Sequence, residues 1–158
     1  MPITAAGTTA SEGHQGTSFE LAEQLRNFLK DKPSKAFTAP FDVRLSAQGE
    51  DDTVVQPDLL VVCERSKLDG KACNGPPDLV IEILSPSSFS RDKWLKFNLY
   101  QRSGVREYWI VDPDSGTVTV YTLEGGQYMT SAYGGAQRVP VSVLPGCEIL
   151  LGEAFEQE

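Results

Sequence analysis

Two carboxylates lie inside apolar runs of this 158-residue sequence, where they are costly unless something pairs with them. Asp58 interrupts residues 54–63 directly after Pro57, and Glu82 sits in the middle of residues 78–84, between Val80-Ile81 and Ile83-Leu84. A hard divalent cation such as Mg²⁺, which binds through one or two carboxylates and keeps several waters, would satisfy them. A buried salt bridge or a hydrogen-bonded cap would do so too. Downstream, Asp92, Lys96 and Tyr100 recur at i, i+4 and i+8 and so share one stripe of a helix. A helix that follows a strand packs back beside its sheet, which would bring Lys96 towards Glu82. Read alone, the stripe is a surface ion pair between Asp92 and Lys96, worth under ~1 kcal/mol. Two strand carboxylates with a nearby lysine are the working parts of metal-dependent phosphodiester hydrolysis. The metal lowers the pKa of a bound water and offsets phosphate charge, and the ammonium stabilises the attacking water or the developing charge.

Periodicity indicates the elements that must position these groups. Residues 1–13 are small and polar and read as a flexible lead-in, leaving 14–158 as one domain. Apolar positions at Phe19, Leu21, Ala22, Leu25, Phe28 and Leu29 predict a helix over 17–30, with Thr17 and Glu20 at capping-box spacing. Alternation at Phe37, Ala39, Phe41, Val43 and Leu45 predicts one strand, followed by a turn at 49–52. The near-continuous Val, Ile and Leu of 54–63 and 78–84 predict strands covered on both faces, joined by an exposed connection at 64–77. A helix over 90–102, closed by Gly104, should come next. Strands are then expected at 105–112, 117–123, 128–133, 139–144 and 148–151. This order implies a mixed sheet of the α/β or α+β class.

Composition narrows the function classes. Hydrophobic residues at 40% and charged residues at 23% fit a folded domain and exclude a disordered tail. No run approaches the ~20 apolar residues of a membrane helix, and the first residues lack a secretory pattern, so a cytoplasmic protein with no membrane partner is expected. Three cysteines without a CxxC pair argue against a disulfide framework or a cysteine zinc site. The net charge of −8 argues against a protein that coats nucleic acid. Its distribution says something different. Residues 85–106 carry Arg91, Lys93, Lys96, Arg102 and Arg106 against Asp92 alone, so this stretch is +4 while the remainder is −12. Arg91, Lys93 and Arg102 are therefore expected to contact nucleic acid beside the carboxylates, in an association that fades with salt.

The ordered set Gln56-Pro57-Asp58, Pro77-Asp78-Leu79-Val80-Ile81-Glu82-Ile83-Leu84-Ser85-Pro86-Ser87, Asp92, Lys96, Tyr100, Gly104-Val105 and Glu107-Tyr108-Trp109-Ile110-Val111-Asp112-Pro113 resembles the Uma-two family. These are restriction-endonuclease-like proteins of the PD-(D/E)XK nuclease superfamily, and the similarity runs from about His14 to the C-terminal strands. The resemblance implies a mixed central sheet flanked by helices, with additional C-terminal antiparallel strands. It also implies an Mg²⁺-dependent endonuclease acting on nucleic acid, expected to be DNA, with Mn²⁺ able to substitute. Asp58 and Glu82 would be the metal ligands on neighbouring strands, with the carbonyl of Ile83 as a third. Where the superfamily pattern has lysine, this chain has Leu84, and in the Uma-two pattern Lys96 from the following helix takes that role. Without an ammonium the site would bind metal but cleave poorly. The alternative is thus a catalytically weak or inactive nuclease fold serving as a DNA- or protein-binding dimerisation module. Asp78, which also follows a proline, competes with Asp58 as a ligand or serves as a cap. Tyr100 would pack with its hydroxyl at the edge of the site, and His14 would line the site or cap the first helix. Symmetric cleavage of two strands calls for a twofold axis, so a homodimer is expected.

Overall fold

The computed structural model describes residues 11–45, 53–85 and 90–155, with residues 90–92 described as helix backbone only. The first helix, α1 (Glu12–Leu29), begins earlier than the expected 17–30. Ser11 is its N-cap and accepts a hydrogen bond from the His14 N–H at 3.0 Å. Thr17 is no cap: it is fully buried within the helix and donates its hydroxyl to the Ala154 carbonyl at 3.1 Å. Leu21, Leu25 and Leu29, four residues apart, form the stripe that α1 lays on the sheet.

Six strands make the central sheet. In spatial order they are β1 (Lys35–Thr38), β4 (Leu59–Val62), β6 (Leu79–Ile83), β7 (Glu107–Asp112), β8 (Thr117–Glu124) and β9 (Gln127–Gly134). Within this sheet only β6 and β7, among the described strands, pair in parallel, and α2 (Ser90–Ser103) makes the crossover between them. The sheet is mixed, as its order of elements implied. Every residue of β4 and β6 is buried, as continuous Val, Ile and Leu runs require. Leu59, Val61, Leu79, Ile81 and Ile83 pack with the leucines of α1. Leu60, Val62 and Val80 pack on the other face with Tyr100 of α2 and Tyr108. Alternation along β6 therefore turns Glu82 to the α2 face, beyond Val80.

Several expectations required correction. The single strand expected over 37–45 is split: β1 joins the central sheet, while β2 (Asp42–Arg44) joins a small sheet with β3 (Val54–Val55) and β5 (Ala72–Asn74). Pro40 lies in the gap, where it can supply no ladder donor. Pro57 divides residues 54–63 in the same way, into β3 and β4. The connection at 64–77 is not simply exposed. It contains a 3₁₀ turn (Arg65–Lys67) and β5, whose Ala72 and Cys73 are buried. Asp69 shapes the turn into β5 by accepting the N–H groups of Lys71 and Ala72 at 2.9 and 2.8 Å. The strand expected over 139–144 is shorter. β10 (Arg138–Pro140) pairs antiparallel with β11 (Glu148–Leu150), the chain turns after Pro140, and α3 (Leu151–Ala154) follows β11. The turn expected at 49–52 lies outside the described residues. No helix among the described residues is long and apolar enough to cross a membrane.

Candidate active site

The register of β4 on β6 pairs Leu60 with Val80 and Leu59 with Ile81. Continued by one step, this register would set Asp58, the residue before β4, opposite Glu82. Pro57 ends the regular strand at this point, and the Asp58 carboxylate takes over a ladder position: its Oδ2 accepts the Ile83 N–H at 2.7 Å. The Asp58 carbonyl accepts the Ala39 N–H at 3.0 Å, which fixes the residue from the β1 side as well.

Glu82 is held from above by α2. The Tyr100 hydroxyl donates to Glu82 Oε2 at 2.7 Å, and Lys96 Nζ donates to the same oxygen at 3.2 Å. The i, i+4 spacing of Lys96 and Tyr100 is what lets both reach one carboxylate. The end of α2 secures Tyr100. Gly104, at φ 90°, closes a Schellman motif in which the Val105 N–H returns to the Tyr100 carbonyl at 3.1 Å and the Gly104 N–H to that of Gln101 at 3.2 Å. Burial raises the Glu82 carboxyl above the usual glutamate value; Lys96 and Tyr100 oppose this, and the charge of Asp58 adds to it. Burial and the Glu82 charge push the Tyr100 hydroxyl well above its usual value, so it acts as a neutral donor.

His14, on the first turn of α1, places Nε2 at 3.6 Å from Asp58 Oδ2. The Asp58 carboxylate, as acceptor and as charge, holds the imidazole above its ordinary pKa, against the opposing effect of burial. His14 Nδ1 is buried and has no hydrogen-bond partner among the described residues. The His14 N–H is bonded to the Ser11 cap, and its side chain borders the cleft beside Asp58. Asp58 opens into a cleft of about 360 Å³ between α1 and the end of β1, bordered by His14, Ser18, Phe19 and Thr38.

Other sequence candidates fall elsewhere. Asp78 is not gathered with Asp58 and Glu82. It sits before the opposite end of β6, about 13 Å away along the strand. There it accepts two bonds from Arg106, at 2.7 and 3.1 Å, and the Cys63 N–H at 2.6 Å. Burial would raise its carboxyl, but these donors outweigh burial and hold it below the usual aspartate value. This clasp also commits Arg106, one of the five cations of the basic stretch. Lys93 borders an apolar groove with Trp94, Phe97 and Ile110, and Ile110 is the β7 partner of Glu82. Arg102 is exposed near the far end of α2. The side chains of Arg91 and Asp92 lie outside those described. Leu84 is half-buried and contributes only its backbone N–H, to the Val111 carbonyl at 2.8 Å.

Glu107 is a buried acid that was not among the residues expected from the sequence. It is fully buried and accepts Trp109 Nε1 at 2.7 Å and the Val143 N–H at 3.0 Å, which ties the C-terminal turn to β7. The signal was present, since Glu107 opens an apolar run much as Asp58 interrupts one. Its neighbours place it in the core rather than at the site.

Among the described residues no group of three or more His, Cys, Asp and Glu side chains forms a metal cage. The smaller donor set fits a hard divalent cation: two carboxylates come from adjacent strands, and the charge of Asp58 adds to the cost of charging buried Glu82. Asp58, Glu82 and the carbonyl of Ile83 are the groups that could hold it.

Comparison with known proteins adds the family. A crystal structure of a protein described as a putative nuclease belonging to DUF820, from Anabaena variabilis, superposes with a TM-score of 0.74 at 21% identity, covering 94% of this chain and 83% of that one. That likeness shows the fold. No curated protein matches the chain. The family model named Uma2, described as "Putative restriction endonuclease", matches residues 4–152, and the chain belongs to this Uma2 (Uma-two) family.

Proposed function

We propose that the protein is an Mg²⁺-dependent endonuclease that hydrolyses nucleic-acid phosphodiester bonds, with DNA as its substrate and Mn²⁺ able to replace Mg²⁺. The observation that carries this reading is the convergence of Lys96 and Tyr100 on Glu82, in register opposite Asp58. Asp58, Glu82 and the Ile83 carbonyl would hold the metal, which when bound supplies Lewis acidity and an acidified water. Tyr100 fixes the orientation of Glu82. Lys96, with its side chain 44% exposed, keeps an ammonium beside the carboxylates, where it can stabilise charge developing on the phosphate. Lys96 thus takes the place of the strand lysine that Leu84 does not supply.

A second reading has its own observation. Lys96 and Tyr100 already satisfy Glu82, and the Ile83 N–H already bonds Asp58, as a site without metal would require. On that reading the fold is a weak or inactive nuclease acting as a DNA- or protein-binding module. Plasmid cleavage with Mg²⁺ or Mn²⁺, compared with Asp58→Ala and Glu82→Ala, separates the two. The nuclease reading expects cleavage that both substitutions abolish, and cleavage that survives both would overturn the residue assignment. A homodimer is the expected assembly for cutting two strands, to be checked by sedimentation at micromolar concentration. Three free cysteines suit a reducing cytoplasm.

A further inference from the structure

A second cavity, of about 430 Å³, lies by the C-terminal end of α1 and the start of β1. It is bordered by Arg26, Lys30, Lys32, Lys35 and Arg65, together with Ser34, and by no carboxylate. Five of the chain's 14 cationic residues therefore meet at one hollow in a protein of net charge −8. None of the five forms a salt bridge among the described residues; the nearest acids in sequence, Asp31 and Glu64, do not line the cavity. Lys32 lies over the Phe28 ring at 4.3 Å. The negative end of the α1 dipole accounts for basic residues near the last turn of that helix, but not for Lys35 on β1 or Arg65 in the turn after β4. Gathering like charges from three elements opposes folding, so an anion that offsets them is the physical expectation.

The position of the cavity indicates which anion. His14, Ser18, Ala22 and Arg26 follow one another at i+4 along α1, and Lys30, its C-cap, continues the spacing. The first three border the Asp58 cleft and the last two the basic cavity, so one face of α1 runs from one to the other. Along the facing edge strand, Thr38 belongs to the cleft and Lys35 to the cavity. The helical rise puts Arg26 and Lys30 about 18–24 Å from His14, and four strand residues separate Asp58 from the partner of Lys35 by about 13 Å. At about 3.4 Å per nucleotide along each strand, this span corresponds to roughly four to seven base pairs.

We propose that the cavity is a second nucleic-acid contact, in which Arg26, Lys30, Lys32, Lys35 and Arg65 hold backbone phosphates of the substrate roughly four to seven base pairs from the bond at Asp58 and Glu82. The inference rests on the nuclease reading for its substrate, but its test reads binding and needs no cleavage. A fluorescent 24-base-pair duplex is titrated with the full chain by anisotropy in EDTA, over a series of salt concentrations. The variants are Arg26→Gln/Lys30→Gln, on the helix wall, and Lys35→Gln/Arg65→Gln, on the opposite wall. Arg138→Gln, on β10, is the control.

Each double variant should weaken binding about tenfold and reduce the slope of log K against log salt by about two, while the control changes neither. All five cations sit at the surface, and melting curves matching wild type show that the fold is kept. Unchanged affinity and slope in both double variants would overturn the proposal. So would a wild-type chain that binds pyrophosphate at the cavity by calorimetry but binds no duplex, since the hollow would then be a small-anion pocket. A duplex that is bound through these residues but never cut with Mg²⁺ or Mn²⁺ would sink the nuclease reading and leave this contact standing.

Discussion

Tyr100→Phe tests the geometry on which the site depends. The substitution removes one oxygen and leaves a ring of the same shape in a fully buried position against Tyr108, whose ring centroid is 4.8 Å away. What is lost is the 2.7 Å hydrogen bond to Glu82 Oε2. A bond to a charged acceptor contributes about 1.5–3 kcal/mol, but Lys96 remains on the same oxygen, so a loss of about 1–2 kcal/mol is expected. For a chain of this size that corresponds to a drop in Tm of roughly 3–6 °C at pH 7.5 without metal. The Glu82 carboxyl, already above its usual range, should rise further, because a group that favours its charged form has been removed. Thermal denaturation reads the first effect and a carboxyl-carbon NMR titration the second. Cleavage should fall about 10- to 100-fold, as for other groups that orient a metal ligand. A variant as stable as wild type, with Glu82 titrating unchanged, would refute the claim that Tyr100 positions this carboxylate.

Lys96→Met should lower the cleavage rate by at least about 10²-fold in a plasmid assay, and Lys96→Arg should recover part of it, because the role requires a cation beside Glu82. Equal loss in both variants would instead indicate that the shape of lysine matters more than its charge. Asp78→Asn should cost about 1–2 kcal/mol at pH 7, after allowing for the half-exposed Arg106 partner. Because the Asp78 carboxyl is held below its unfolded value near 3.8, its stabilisation is present above that pH and is lost as pH falls through the folded value. Acid denaturation of the Asn variant should lack that part of the wild-type transition. Glu82 behaves in the opposite sense: its raised carboxyl makes the metal-free protein lose stability as pH rises above about 4.5, a slope that Glu82→Gln should flatten in pH-dependent melting curves.

The carboxylates were legible because Asp58 and Glu82 break apolar runs, and the lysine and tyrosine because i, i+4 spacing survives as a stripe. Their place on neighbouring strands came from the family resemblance, and the register between them was not legible, since register is a property of two strands. Prolines were the main source of error in the fold. The alternation from Phe37 to Leu45 continues across Pro40, and the apolar run at 54–63 continues across Pro57, so periodicity is blind to the missing donor that separates each pair of strands. Thr17 and Glu20 matched a capping box by spacing alone, while Ser11, two residues inside the expected lead-in, made the real cap. β5 was hidden because three residues in a charged stretch carry no period. The basic cavity could not be seen in the sequence at all: Arg26 and Arg65 are 39 positions apart, and only the packing of α1 on β1 brings them to one hollow.

The assignment of Asp58 and Glu82 as a divalent metal site is tested by a crystal soaked with Mn²⁺. An anomalous peak is expected between the two carboxylates, within about 2.0–2.3 Å of an oxygen of each and in reach of the Ile83 carbonyl. A well-ordered crystal at millimolar Mn²⁺ with no peak there, and with the Glu82 bonds to Lys96 and Tyr100 undisturbed, would contradict it.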